Sequence, residues 1–189
     1  MKKLKRNSAK TILKGKHPKY DWDVDTSVDY IKGNGYFATG RAYIKTILCL
    51  LASKGPLSFH NNGKVNVNND WLKQANSKNY HHFFPRGFMK DKEDGWWVNH
   101  IVNITLVDEH LNKGKIKAKA PSRYIAEFEK ANPDIAKALS SHFIGLETFG
   151  IRDDNYDVFF EKRCQRLSKA LEAKIVRPNP LRFGFKKSP

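Results

Sequence analysis

Apolar positions recur at helical spacing from Gly40 onward, with Ala42, Ile44, Ile47, Leu48, Leu50 and Leu51 in one run closed by Gly55-Pro56. This predicts a mostly apolar helix, too short and too interrupted to span a membrane. Cys49 inside it is expected to be a small core residue. Asn61-Asn62-Gly63 then predicts a turn between short segments Leu57 to Phe59 and Val65 to Val67, with His60 at the surface. Asn69 or Asp70 suits the cap of a short helix beginning Trp71-Leu72-Lys73-Gln74. Further on, Tyr124, Ile125 and Phe128 follow Pro121-Ser122, and Ile135, Ala138 and Leu139 follow Asn132-Pro133, which predicts two more helices. Between Asp154 and Ile175, Phe160, Cys164, Leu167 and Leu171 keep helical period, and Lys162, Arg163, Arg166 and Lys169 read as a basic outer face.

One stretch has a different rhythm. Asn79 to Pro85 carries the pair His81-His82, and Asn99 to Val107 alternates Val102, Ile104 and Leu106 against Ile101, Asn103 and Thr105. Neighbours on a strand face opposite ways, so the second segment predicts a strand with one apolar face. Asp108 and Glu109 then suit the positive end of a helix dipole. Strand, strand, helix is the expected order, within an α+β, mainly helical single domain. The segment between the strands, Arg86 to Val98, is a charged loop ending on Trp96-Trp97. These tryptophans suit base stacking, although at least one is expected in the core.

Length and charge narrow the partners. The 189 residues fit one domain, 28–176, between a basic stretch at 1–27 and a proline-bearing tail at 177–189. Lys+Arg number 35 against 19 Asp+Glu, a net charge of +16 and a pI near 9.8, which points to a polyanionic partner. Residues 1–20 hold eight Lys and Arg and no acid, and no apolar run follows, so this is a solvated tail or a phosphate-gripping arm rather than a signal peptide. Asp21, Asp23 and Asp25 lack the glycine and terminal glutamate of a calcium loop and read as surface charge. Cys49 and Cys164 form no CxxC, which excludes a four-cysteine zinc site and fits reduced thiols in a cytoplasmic setting.

The chemistry concentrates in the strand-strand-helix stretch. An asparagine on the second strand can hold one nitrogen of a histidine on the first, leaving the other nitrogen to take a proton from water. His82 is the candidate base. Adjacent His81 and His82 reach one site only if the strand ends or bends there. His100 and His110 read as surface or structural, and His142 as a hydrogen-bonding residue. Lys113, Lys115, Lys117 and Lys119 follow Asn112 directly and suit phosphate contact, with a solvated face as the other reading.

His81-His82-Phe83-Phe84-Pro85, then Asn103-Ile104-Thr105-Leu106, then Asn112-Lys113-Gly114-Lys115 together resemble the His-Asn-His (HNH) nucleases of the ββα-metal fold. From about Gly40 to about Ala173 the chain resembles the C-terminal nuclease module of GmrSD-like restriction proteins, including Trp71-Leu72-Lys73, Ala120-Pro121-Ser122 and Ser141-His142-Phe143-Ile144. The resemblance implies a ββα core at about 79–119, His82 as general base and Asn103 as the residue that orients it. It implies His81 and Asn112 as ligands of a divalent ion, Mg²⁺ or Mn²⁺, with Lys115 near the scissile phosphate, beside Lys113 and Lys119 that the lysine run already offers as phosphate contacts. The implied activity is metal-dependent hydrolysis of DNA, in restriction of foreign or modified DNA, with no membrane partner. In that family a ParB-like nucleotide-dependent module usually precedes the nuclease, and the chain leaves no room for it. It is therefore expected to be a fragment, one part of a split system with a separate nucleotide-dependent partner, or a nuclease acting alone. The rival readings are a non-catalytic nucleic-acid-binding module and a structural or interaction domain.

Overall fold

The computed structural model describes residues 24–67, 80–107 and 115–175. The expected helix at Trp71 and the helix start at Asp108 with Asn112 and Lys113 lie outside them, as do His110 and most of both expected tails. Residues Thr26–Ala173 form one compact unit. Within it the fold is mixed α+β and mainly helical. Helices α1 (Val28–Asn34) and α2 (Ala42–Ser53) precede strand β1 (Tyr80–His82). Two single-turn helices follow, α3 (Arg86–Met89) and α4 (Gly95–Val98), then a 3-10 turn (Ile101–Asn103) running into β2 (Ile104–Leu106). Helices α5 (Pro121–Ala131), α6 (Ile135–Ser141) and α7 (Tyr156–Glu172) complete it.

The local chemistry explains most boundaries. Ser27 caps α1 by accepting the Tyr30 N–H at 3.1 Å, and Asn155 caps α7 by accepting that of Val158 at 3.0 Å. Pro121 opens α5, where its missing N–H costs nothing, and Asp154 binds both the N–H and the hydroxyl of Ser122 at 2.8 and 2.7 Å. Gly150, at φ 65°, makes the tight turn before α7, where an added Cβ would lie 2.9 Å from that of Asn155. Asn61-Asn62-Gly63 forms its turn with Asn62 at φ 57°, but the flanking segments join by one antiparallel bridge, Leu57 to Lys64.

Helix α7 is the hub: α1, α2 and the 3-10 turn all pack on it. Its stripe of Phe159, Phe160, Cys164, Leu167 and Leu171 is buried, and Phe159 stacks on Phe83 with centroids 4.9 Å apart. Two sequence expectations change here. Arg163 belongs to the buried side of α7 and is fully covered. Its Nε and Nη2 donate to the His142 carbonyl at 3.3 and 3.0 Å, and its Nη1 donates to the Val102 carbonyl. Burial pushes its pKa down to about 9, and the hydrogen bonds offset that desolvation. Cys49, by contrast, is exposed, because Ile44, Ile47, Leu48 and Leu51 already make the inward stripe of α2.

The second strand also differs from its alternating pattern. Every residue from His100 to Val107 is buried, and the first part coils as the 3-10 turn. Covered on both sides, the segment has no solvent face for the alternation to mark. Replacing Arg163 with Met should lower unfolding free energy by about 2 to 4 kcal/mol, since two buried carbonyls lose their donor. Urea denaturation reads this, and a change below about 0.5 kcal/mol would contradict the role given to the guanidinium.

Candidate active site

The site is built where β1 ends. Strands β1 and β2 pair antiparallel with His81 opposite Thr105 and His82 opposite Ile104. The ladder is regular, so His81 turns into the interior and His82 to the partly open face. Past His82, the Phe83 N–H still reaches the Asn103 carbonyl at 2.8 Å, and the chain then turns, burying both Phe83 and Phe84. Tyr124 supports the turn by donating its hydroxyl to the Phe83 carbonyl at 2.6 Å.

Asn103 holds this turn closed. Its Oδ1 accepts from the Phe84 N–H at 2.8 Å, while its Nδ2 donates to the carbonyls of Phe84 and Val98, each at 3.0 Å. The amide is thereby fully engaged with backbone and does not bond the His82 ring. That contact belongs to Asn99, whose Oδ1 lies 3.1 Å from His82 Nε2. The expected orienting role through the ring thus moves from Asn103 to Asn99. The physical reason is position: Asn103 lies beyond the last ladder pair, level with the turn rather than with the imidazole.

The Asn99 contact also fixes the tautomer. Asn99 Nδ2 donates to the Phe37 carbonyl at 3.3 Å, and the Asn99 carbonyl accepts from the Phe37 N–H at 2.8 Å. Its Oδ1 therefore faces His82 and must accept, so His82 carries its proton on Nε2 and leaves a lone pair on Nδ1. Nδ1 has no hydrogen-bond partner among the described residues. Burial lowers the His82 pKa, the Asn99 bond raises it in part, and the nearby Arg86 charge lowers it further. A neutral imidazole at neutral pH is the result.

His81 is buried and its pKa is lowered to about 3, first by desolvation and then by the charges of His82 and His142. Its Nδ1 is buried and has no hydrogen-bond partner among the described residues. His142 donates Nε2–H to the Leu57 carbonyl at 2.9 Å and leaves a buried Nδ1 that likewise has no partner among the described residues. His100 is structural: Nδ1 accepts from the Val102 N–H at 3.2 Å, and Nε2 reaches the Lys32 carbonyl at 3.3 Å. Among the described residues, no three His, Cys, Asp or Glu side chains group as a metal cluster. His81 lies buried on the face of β1 opposite His82, so the regular ladder does not bring the two rings to one site as the sequence expectation required, and an interior imidazole closed to solvent does not fit a ligand of an ion that must also meet phosphate; Asn112 lies outside the described residues.

The chain is similar to MJ0686, an uncharacterized protein of Methanocaldococcus jannaschii. The two are 31% identical over an alignment covering 49% of this chain and 20% of the archaeal protein, so the chain matches about one fifth of that relative's length. No family model and no solved structure matches the chain.

The lysines separate into two cases. Lys115 is exposed, whereas Lys119 forms an ion pair with Glu127 that compensates its charge. Lys119 is thus a poorer phosphate contact than the sequence suggested. Arg86, which the sequence reading left without a role, is exposed, unpaired among the described residues and near enough to His82 to depress its pKa. Asn99 was missed because its contacts to Phe37 and His82 are 62 and 17 residues away. Its only sequence signal was its place at the start of the second apolar segment.

Two measurements check this electrostatic picture. His81, His100 and His142 have pKa values of about 3, 4 and 4, below the ordinary 6.5. In the window from 6.5 down to about 4 the unfolded chain binds more protons than the folded one, so stability falls with pH. Unfolding free energy should drop by about 3 kcal/mol or more between pH 7.5 and 4.5 in urea titrations, and a flat profile would contradict neutral burial. In Asn99→Ala the His82 pKa should move down by nuclear magnetic resonance titration, because the bond that favours the charged ring is gone; an unchanged value would contradict the contact.

Proposed function

We propose that this chain is a metal-dependent endonuclease of the HNH type acting on DNA, with His82 as general base. The observation that carries the reading is the His82 ring: partly open, held neutral, with its proton kept on Nε2 by the acceptor Asn99 Oδ1 and a lone pair on Nδ1. That is the state a base needs to take a proton from water. Asn103 is a positioning residue in this scheme, since it fixes the Phe84 backbone two residues past the base. A two-stranded antiparallel pair carrying both histidines supports a ββα-type core, with the helical part at Asn112 belonging to the proposal.

The sequence resemblance assigns a divalent ion, Mg²⁺ or Mn²⁺, to His81 and Asn112, but His81 faces the interior away from His82, so an ion serving His82 would need ligands other than His81. Such an ion, when bound, polarises the phosphate and favours departure of the leaving oxygen. The protein's own residues do the rest. His82 takes the proton of the attacking water through Nδ1, Arg86 and Lys115 present positive charge to phosphate oxygens, and the +16 charge of the whole chain draws in the polyanion. Restriction of foreign or modified DNA, with a separate nucleotide-dependent module as partner, is the setting that the sequence resemblance suggests.

Purified protein should nick or linearise supercoiled plasmid with Mg²⁺ or Mn²⁺ and stop with chelator. His82→Ala should be slower by roughly 10² to 10⁴. Equal cleavage by the mutant would overturn the assignment of the base. Salt-sensitive DNA binding with no cleavage by the folded, metal-loaded wild type would favour a binding module instead.

A further inference from the structure

Beside the His82 contact lies an exposed aromatic pair. Tyr36 and Trp96 stack with centroids 4.9 Å apart and an interplanar angle of 21°, and each is 38% exposed. Large aromatics of a chain this size usually sit in the core. Here an exposed, near-parallel stack offers a flat surface of the kind a nucleobase covers.

The pair is held in place rather than free to reorient. Trp96 is on α4, whose first turn is capped by Asp94 accepting the Trp96 N–H at 2.8 Å. Tyr36 bridges antiparallel to His100, and next to it Phe37 exchanges backbone and side-chain bonds with Asn99. Gly35 makes this approach possible, because an added Cβ there would lie 2.0 Å from the His100 ring. The residue that bonds the His82 ring is therefore stitched to the segment that carries Tyr36.

Charge selects the ligand. The segment just before Trp96 has Asp91, Glu93 and Asp94 against Lys90 and Lys92. Three carboxylates against two ammonium groups are a poor bed for the closely spaced phosphates of a duplex, whereas an unpaired base needs no countercharge. Positive charge lies instead toward His82, at Arg86.

We infer that Tyr36 and Trp96 form a stacking platform for one unpaired base of single-stranded or locally opened DNA, setting the adjoining phosphodiester toward His82. This rests on the nuclease reading for the role of His82, but base binding can be measured without cleavage. The whole chain, in chelator, is titrated with a labelled oligothymidylate of about 12 nucleotides, the same strand with abasic residues, and a duplex. Anisotropy gives affinity, and tryptophan fluorescence reports contact. The single strand should quench tryptophan fluorescence and bind about 10- to 100-fold more tightly than the abasic strand. Trp96→Ala and Tyr36→Ala should lose a similar factor, while Trp96→Phe keeps most of the affinity. Equal binding of base-bearing and abasic strands by the wild type would overturn the platform, as would unchanged affinity in a folded Trp96→Ala protein. If an alanine variant does not fold, the wild-type comparison alone decides. Failure of the nuclease reading is visible separately, in plasmid cleavage by His82→Ala.

Discussion

A buried guanidinium with no carboxylate partner among the described residues is the constraint around which this fold is arranged. Arg163 sits in the middle of the longest helix and spends its donors on two carbonyls, at Val102 before the second strand and at His142 after α6. Moving either backbone segment would leave a charged group short of acceptors in the interior, where an unmet charge costs far more than an unmet neutral group. The helical scaffold and the small sheet are thereby locked together. The 3-10 turn sits against α7 with Val102 held, and the residues that matter for the site, Asn99 and Asn103, lie on either side of that anchor.

From this anchor the site follows by short steps. Asn103 closes the turn after β1 with three hydrogen bonds to backbone, so the position of His82 at the strand end is determined by main chain rather than by loose side-chain contact. Asn99 then sets which nitrogen of His82 holds the proton. The two asparagines divide a task that the sequence suggested for one. Burial keeps the neighbouring imidazoles neutral, so the stretch is an uncharged nitrogen-rich interior beneath a surface of strongly positive overall charge. In the proposed nuclease, such an arrangement would separate the attraction of a polyanion, a long-range effect of lysine and arginine, from proton transfer, which needs an uncharged base.

The helices were legible because their cause is local. The stripe of Ile44, Ile47, Leu48 and Leu51, the Pro121 start and the period through Leu167 and Leu171 each recur within a few residues. Less legible were features decided by distant partners. Arg163 shares its surroundings with charged neighbours in sequence, and only the carbonyls of Val102 and His142 distinguish it from Arg166. Trp96 and Trp97 are each more than a third exposed, although one was expected in the core, because the interior is already filled by Phe83, Phe84 and Phe159. Likewise, strand alternation put His81 and His82 on opposite faces correctly, but it could not show that the following turn would bring Asn99 rather than Asn103 to the ring.

The central claim is that the His82 imidazole, set by Asn99, is the group whose loss of a proton permits cleavage. The most direct measurement is the pH dependence of single-turnover plasmid cleavage by the wild type and Asn99→Ala, beside the His82 titration in each. The account predicts a rate that rises with pH, with a midpoint below the ordinary histidine value of about 6.5, matching the ring's own titration and moving down in Asn99→Ala. A midpoint that stays in place in Asn99→Ala while the ring's pKa moves would contradict it.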